Sequence, residues 1–564
     1  MTAKELHELM GATRCDIHPP ASGSDAVEMT TTETQRGRRD ASLVAAGHPL
    51  RQPVDEAAPR RPVDDSIACL LEPSVWDSEA LLVEHIETHI SHVFLVDDRA
   101  FKIKKPVRHD FLDYSTLALR KHFCEEEVRI NQAVAGGLYL GVVAIHQHAD
   151  GSYGLDGEGP IVDYAVEMRR FDQSDLLSSR VRSHRLVSVD IRELASTLVG
   201  MHERARRCDP RESLAAVDFL RNNVGQVAKQ FDLDEDRSAS SRMIRCVVRW
   251  LKERIESNEY RFLARALRGR VRVCHGDLHT KNVVRWNRRF VAFDAIEFSD
   301  SLRQMDVFGD AAFLAMDLAS TGHIDWSRLF RNEYFEQSGD YESLEVFRWF
   351  TVYRALVRAM AERMRGPRCR QSELDRYLQL AYRFTLPVVP SLTITHGVSG
   401  SGKTTISEQV VRRHGAIRIR SDIERRRIFD MPTCGPLQAE QSRVIHHDDA
   451  DRAVYKRLAS MAGEVLSASY PVVIDATCLK RWQRELFRDL ADRTGIHFSI
   501  LDCHHDIATL SERVTQRLAG GRDASDADLS VLQQQLANRE PLTDCERRKV
   551  VDIPDPAEVI DSIL

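Results

Sequence analysis

Gly397-Val398-Ser399-Gly400-Ser401-Gly402-Lys403-Thr404 fits G-x-x-x-x-G-K-[ST] at every fixed position, with a second threonine, Thr405, directly after it. The glycines let the backbone curl so that successive N–H groups face inward onto phosphate oxygens. An apolar strand-like run over 392–395 precedes the loop, and a helix-patterned stretch over 404–413 follows it. That helix would add its positive N-terminal end to the cradle. Lys403 is then placed to reach β- and γ-phosphates, and the Thr404 hydroxyl to ligate magnesium. Residues 397–405 are therefore expected to bind a nucleotide, in a strand–loop–helix context that a merely flexible Gly/Ser loop would lack.

Further along, the run Tyr470-Pro-Val-Val-Ile-Asp475 reads as a buried strand ending in a carboxylate, and Asp475 is a candidate for the metal-bound water. A short strand over 416–419 delivers Arg420-Ser421-Asp422 to a neighbouring strand end, near the crevice of a doubly wound parallel sheet. Asp422 is a candidate for orienting or deprotonating an acceptor hydroxyl; its alternative role is an N-cap for a helix over 423–429. Arg513, Arg517 and Arg522 recur on or just after a helical stretch. They are candidates for a lid that neutralises transition-state charge, against the alternative of a solvated basic face.

The N-terminal part carries a second constellation, His275-Gly-Asp277-Leu-His-Thr-Lys-Asn282, then Val283–Trp286, a turn at Asn287-Arg288, and Phe290-Val-Ala-Phe-Asp294. Phosphoryl transfer needs one Asp to accept a hydroxyl proton, and an Asn and an Asp to hold magnesium on the phosphates. Asp277 and Asn282 lie on one loop, and a tight hairpin returns Asp294 beside them. Upstream, a hairpin over 93–104 presents Lys102 and Lys104 on one face. Helix-patterned stretches over 117–135 and 187–205 follow, and Glu127 on the first is the candidate partner for the lysine.

Composition limits the alternatives. At 564 residues, 43% hydrophobic and 29% charged, the chain is ordinary for a globular protein and too long for one small core. A formal net charge of −6 gives no general attraction to nucleic acid or anionic membrane. Eleven scattered cysteines suit a reducing compartment, and no apolar run approaches the roughly 20 residues of a membrane helix. A soluble, cytoplasmic protein is expected, with neither nucleic acid nor membrane as a partner; its oligomeric state is open. Residues 1–66, rich in Thr, Arg and Pro, are expected to be a disordered tail. The chain should then form an α+β domain over 67–386 and an α/β domain over 391–564.

The C-terminal set, 397–405, 420–422, 473–477 and 523–527, resembles small P-loop kinases of the zeta-toxin and gluconate-kinase-like families, with polynucleotide 5′-kinases more distant. His275, Asp277 and Asn282 match the H-x-D-x-x-x-x-N pattern of the aminoglycoside phosphotransferase and choline-kinase superfamily, related to protein kinases. The order of the two resembles bacterial proteins that fuse such a kinase-like domain to a P-loop ATP-binding domain, over roughly residues 80–564. This resemblance implies a bilobal kinase-like fold followed by a parallel sheet, with ATP and Mg2+ as cofactors. Asp277 becomes the base, Asn282 and Asp294 metal ligands, and Lys102 with Glu127 the phosphate-binding ion pair. Where a protein kinase has its glycine-rich loop, this chain has Glu87-Thr-His-Ile-Ser91. Transfer of a phosphoryl group to a hydroxyl of a sugar or aminoglycoside-like small molecule is the expected activity. The alternatives are a ligand-sensing pseudokinase that controls the P-loop half, and a polynucleotide 5′-kinase in that half. The last would call for a basic channel interleaved with aromatics, and aromatics are 7% of the chain.

Overall fold

Alternating apolar residues build the first sheet. Strands β1 (Glu84–Glu87), β2 (Ser91–Val96) and β3 (Arg99–Lys104) are joined by β4 (Tyr139–Gln147), β5 (Tyr153–Gly154) and β6 (Ile161–Arg169). The order is β1-β2-β3-β6-β4-β5, antiparallel throughout. Asp97 takes a left-handed φ of 48° to close the β2–β3 hairpin, which pairs Val93 with Lys102. Helix α1 (Leu117–Ala135), capped by the Thr116 hydroxyl accepting from the Leu119 N–H at 3.2 Å, packs Cys124 and Val128 against Leu95, Ala100 and Val166. The structure, a computed structural model, describes residues 67–76, 82–109, 112–155, 157–231, 238–433, 435, 448–520, 525 and 527–551. The expected tail over 1–66 lies outside the described residues.

Below that sheet the chain is mainly helical. The helix expected over 187–205 is α2 (Ser188–Arg204). The hairpin β7 (Val283–Trp286) and β8 (Arg289–Ala292) turns at Asn287 and Arg288, both with positive φ. Among the helices that follow are α3 (Phe308–Ser320), α4 (Ile324–Ser338) and α5 (Leu344–Arg363). Every residue of α3 is buried, and its Asp310 and Asp317 hold the backbone of the 275–282 loop.

The last part is a five-stranded parallel sheet: β9 (Ser391–His396), β10 (Ile417–Arg420), β11 (Val472–Asp475), β12 (His497–Asp502) and β13 (Val550–Val551), in the order β10-β11-β9-β12-β13. The order reverses at β9, which opens a crevice at the carboxyl ends of the strands. Around it lie α6 (Lys403–His414), α7 (Ser421–Ile428), α8 (Asp448–Ser467), α9 (Ile507–Gly520) and α10 (Leu529–Asn538). Asp422 is not an N-cap. Strand β10 runs straight into α7, so Arg420 occupies the cap and Asp422 falls inside the first turn. The mixed α+β and α/β fold expected from the sequence is thus present. One feature of the packing differs from two separate cores. A single hydrophobic cluster runs through Leu177, Phe308, Trp349, Leu392, Ile417, Val454 and Phe498, and the described residues form one compact unit. Among the described residues no helix is long and apolar enough to cross a membrane.

Candidate functional site

Lys102 on β3 reaches two carboxylates at once. Its Nζ lies 2.8 Å from Glu127 Oε1 on α1 and is also paired with Asp294, which follows β8. Glu127 is fully buried, and its second oxygen takes the Lys104 ammonium at 2.7 Å. Lys104 is enclosed by Glu127, Glu297 and Tyr114, with its side chain 1% exposed, whereas Lys102 is turned toward Asp294. Geometry therefore separates two lysines that alternation along one strand leaves equivalent. Burial alone would raise the Glu127 carboxyl; the two ammonium groups overcome it and hold the acid down at about 2.

Asp294 adopts a left-handed φ of 63°, and its N–H donates to the Tyr139 hydroxyl at 3.1 Å. The neighbouring Ala295 N–H donates to Asn131 Oδ1 at 3.0 Å, and the Asn131 amide donates to the Glu127 carbonyl. Helix α1 thus fixes both the glutamate and the backbone that carries Asp294. Asn282 donates to the Asp277 carbonyl at 3.0 Å and to its Oδ2 at 3.3 Å, so Asp277 and Asn282 are brought together on the loop. Both oxygens of buried Asp310 accept from the loop, from the N–H groups of His275 at 2.8 Å and Gly276 at 3.0 Å. His275 Nε2 lies 2.9 Å from the Phe293 carbonyl, and its Nδ1 accepts from the Asp277 N–H at 3.3 Å. That pattern requires a neutral ring protonated at Nε2, and burial lowers the His275 pKa accordingly. Burial acts to raise the Asp277 carboxyl, but His279, 3.4 Å away, and Arg358 leave it well below the usual range. Asp277 is ionised across the neutral range, with 39% of its side chain exposed.

In the parallel-sheet part, residues 397–405 curl around a cavity of about 400 Å³ lined by Lys403, Thr404, Thr405, Asp422, Asp475, Arg513 and Arg517 among others. Gly397, Gly400 and Gly402 all have positive φ. A Cβ at Gly400 would lie 2.8 Å from the Leu510 carbonyl, so the loop passes too close to α9 for any side chain there. Lys403 Nζ donates back to the Val398 carbonyl at 2.7 Å. Burial lowers its pKa, opposed by the Asp475 carboxylate. Buried Asp475 Oδ2 accepts from the Ser407 hydroxyl at 3.2 Å and lies 3.7 Å from Arg420 Nε. Arg513 and Arg517 are both on α9; Arg513 reaches the Gly400 carbonyl at 3.5 Å and Arg517 the Ala527 carbonyl at 2.7 Å. Arg522 lies outside the described residues. Sequence reading assigned no role to Gln535, whose side chain accepts from the loop N–H of Ser399 at 2.7 Å, or to Arg420. A lone Gln on a later helix carries no motif, so the sequence holds no signal for it.

Both sites offer hard oxygen donors of the kind magnesium takes. Thr404 and Asp475 line one cavity; at the other site Asn282 donates to Asp277, and the N–H of Phe293, the residue before Asp294, donates to the Asn282 carbonyl at 3.0 Å.

Residues 392–542 match the family model described as AAA domain. The AAA domain match takes in the phosphate loop and β9 through β12. An uncharacterized protein of Mycobacterium tuberculosis (strain H37Rv) is 29% identical over 448 residues, spanning 78% of this chain and 87% of that protein. Among solved structures, a gluconokinase from Sinorhizobium meliloti is 23% identical, covering 31% of this chain and 89% of its own, with a TM-score of 0.22. The ethanolamine kinase of Plasmodium vivax is 12% identical, covering 54% of this chain and 82% of its own, with a TM-score of 0.35.

Proposed function

We propose that the chain is an ATP-dependent phosphotransferase with two nucleotide sites, each passing a γ-phosphoryl group to a hydroxyl of a small molecule, with a sugar or aminoglycoside-like compound as the favoured acceptor class. The observation that carries the reading is the Lys102 ammonium held between Glu127 and Asp294, with the N–H of the adjoining Phe293 donating to the carbonyl of Asn282, which itself donates to Asp277. Charge-handling groups from β3, α1, the catalytic loop and the end of a hairpin meet there, though nearly two hundred residues separate Lys102 from Asp294.

In the first site, Lys102 would bind α- and β-phosphates, and the Asp277 carboxylate would accept the acceptor's hydroxyl proton. The acceptor oxygen forms its bond to the γ-phosphorus as the bond to the bridging β–γ oxygen breaks, and ADP leaves. Asn282 and Asp294 here, and Thr404 and Asp475 in the second site, would hold magnesium, which screens phosphate charge when bound. In the second site the loop N–H groups and Lys403 would cradle the phosphates, Asp422 would orient the acceptor, and Arg513 and Arg517 would approach the transferring group.

Turnover of ATP to ADP, measured against a panel of sugars, aminoglycosides and nucleotides, tests the reading. Asp277→Ala should abolish one acceptor-stimulated activity and Lys403→Ala another, each by about a thousandfold or more. If a single substitution removes all turnover, only that half is an enzyme. If no acceptor stimulates wild-type turnover, the phosphotransferase reading fails.

A further inference from the structure

Helix α4 lies between the two sites and is built into both. On one side, the Tyr334 hydroxyl is 2.9 Å from His202 Nδ1, whose ring faces Asp310 Oδ2 at 3.6 Å. Asp310 holds the backbone of His275 and Gly276. On the other side, α4 meets the edge strand β10. Asn332 Oδ1 accepts from the Arg418 N–H at 2.7 Å. The Arg418 guanidinium, buried to 1% exposure, pairs with Glu333 at 3.2 Å and Glu336 at 3.1 Å. Its remaining arm reaches the carbonyl of Thr404 at 3.5 Å. Arg328 and Arg331 of α4 donate to the Arg412 and Gly415 carbonyls at 3.1 and 2.6 Å, capping the C-terminal end of α6, the helix that opens with Lys403.

Glu336 makes the contact with a chemical consequence. Arg420, which lines the nucleotide cavity, lies between two carboxylates: its NH1 is 3.4 Å from Glu336 Oε1, and its Nε is 3.7 Å from Asp475 Oδ2. A guanidinium this close to a metal-binding carboxylate competes with the cation for it. Glu336, fixed on α4 by its own pairing with Arg418, draws Arg420 the other way and offsets its charge.

We propose that Glu336 is a positioning residue for the P-loop site: through Arg420 it keeps Asp475 available to a divalent cation, so that the kinase-like part supplies a component of the other part's metal site. This rests on the nucleotide-binding reading of residues 397–405, but not on phosphoryl transfer. Without the Glu336 charge, Arg420 closes onto Asp475, and magnesium must displace a guanidinium to bind.

The test uses the full chain and reads binding. ATP is titrated calorimetrically at a series of Mg2+ concentrations, and the binding step lost in Lys403→Ala marks the P-loop site. Glu336→Gln should raise the Mg2+ concentration for half-maximal ATP binding at that step by about tenfold, while leaving ATP affinity without Mg2+ near wild type. Adding Arg420→Gln to it should return the Mg2+ requirement toward wild type, because the competing guanidinium is gone. Glu333→Gln is the comparator: Glu333 pairs with Arg418 and Arg192 and acts on Arg420 only through its longer-range field, so the substitution should lower the melting temperature while moving the Mg2+ requirement far less than Glu336→Gln does. The proposal is overturned if Glu336→Gln leaves the Mg2+ dependence unchanged, if Arg420→Gln gives no rescue, or if the two glutamine variants behave alike. Tight Mg2+-dependent binding without turnover would sink the phosphotransferase reading and leave this one standing; no ATP binding at the P-loop step would sink both.

Discussion

Two lysines on one strand face one buried glutamate, and Glu127 is what makes that arrangement tolerable. Removing one partner of a buried ion pair leaves the other charge uncompensated, at about 3–5 kcal/mol. Glu127→Ala should therefore destabilise the fold by about that much, read as a drop in thermal or denaturant midpoint. The sign of the pH dependence follows from the same geometry. The Glu127 carboxyl is depressed from 4.5 to about 2 in the folded chain, so its stabilisation is fully present above 4.5 and is lost as pH falls toward 2. Melting temperature followed down through that window should fall steeply in wild type and less steeply in Glu127→Gln, which cannot titrate. Equal slopes in the two proteins would mean that other carboxylates govern acid unfolding. Lys102 and Asp294 are a different case: nothing in the sequence relates residues 192 positions apart except a resemblance to a known arrangement.

Elements whose geometry is set locally were legible, and the reason is visible in each. The phosphate loop needs glycines at fixed spacing because its backbone must adopt positive φ, so its residue types record its shape. Helix α1 was readable end to end, because its apolar spacing begins at a threonine cap and stops at Gly136. Helix α7 starts two residues before the expected 423, and the alternative cap role of Asp422 goes with it, since an Asp near a helix start looks like a cap unless one knows that the strand passes into the helix without a loop. What no pattern could show is α4, whose Glu336 meets Arg418 across 82 residues. Gly400→Ala tests the locally encoded element. The φ of 81° disfavours any side chain, and the new methyl would press on the Leu510 carbonyl of α9. ATP binding at the Lys403-dependent step should weaken by at least about tenfold, while any Asp277-dependent turnover persists. Unchanged affinity would show that loop and helix can move apart at little cost.

At the scale of the whole molecule the question is whether two sites mean two folding units. The sequence argued for two, with a break over residues 386–391, because a helical pattern ends there and a strand pattern begins. Helix 371–385 does end at Thr385 and β9 does begin at Ser391, but the core does not stop between them. Leu392, Ile394, Ile417 and Ile419 of the parallel sheet belong to the same hydrophobic cluster as Phe330, Tyr334 and Tyr341. Buried Arg418 cannot leave α4 without stranding its charge or those of Glu333 and Glu336. Separating the parts would thus expose apolar surface and unpair ions at once, so the two should unfold together. Equilibrium unfolding in denaturant, followed by far-UV circular dichroism and by Trp fluorescence, should give coincident transitions. A ligand that binds only the P-loop site should then stabilise the whole unit: saturating MgATP, at about a hundred times its dissociation constant, is worth about 2.7 kcal/mol. In an Asp294→Ala chain, used to weaken the first site, that shift should appear equally in both probes and vanish when Lys403→Ala is added. Two separated transitions, with ATP moving only one, would mean that the shared core and the Arg418 contacts do not couple the parts, and that each site is carried by a fold of its own.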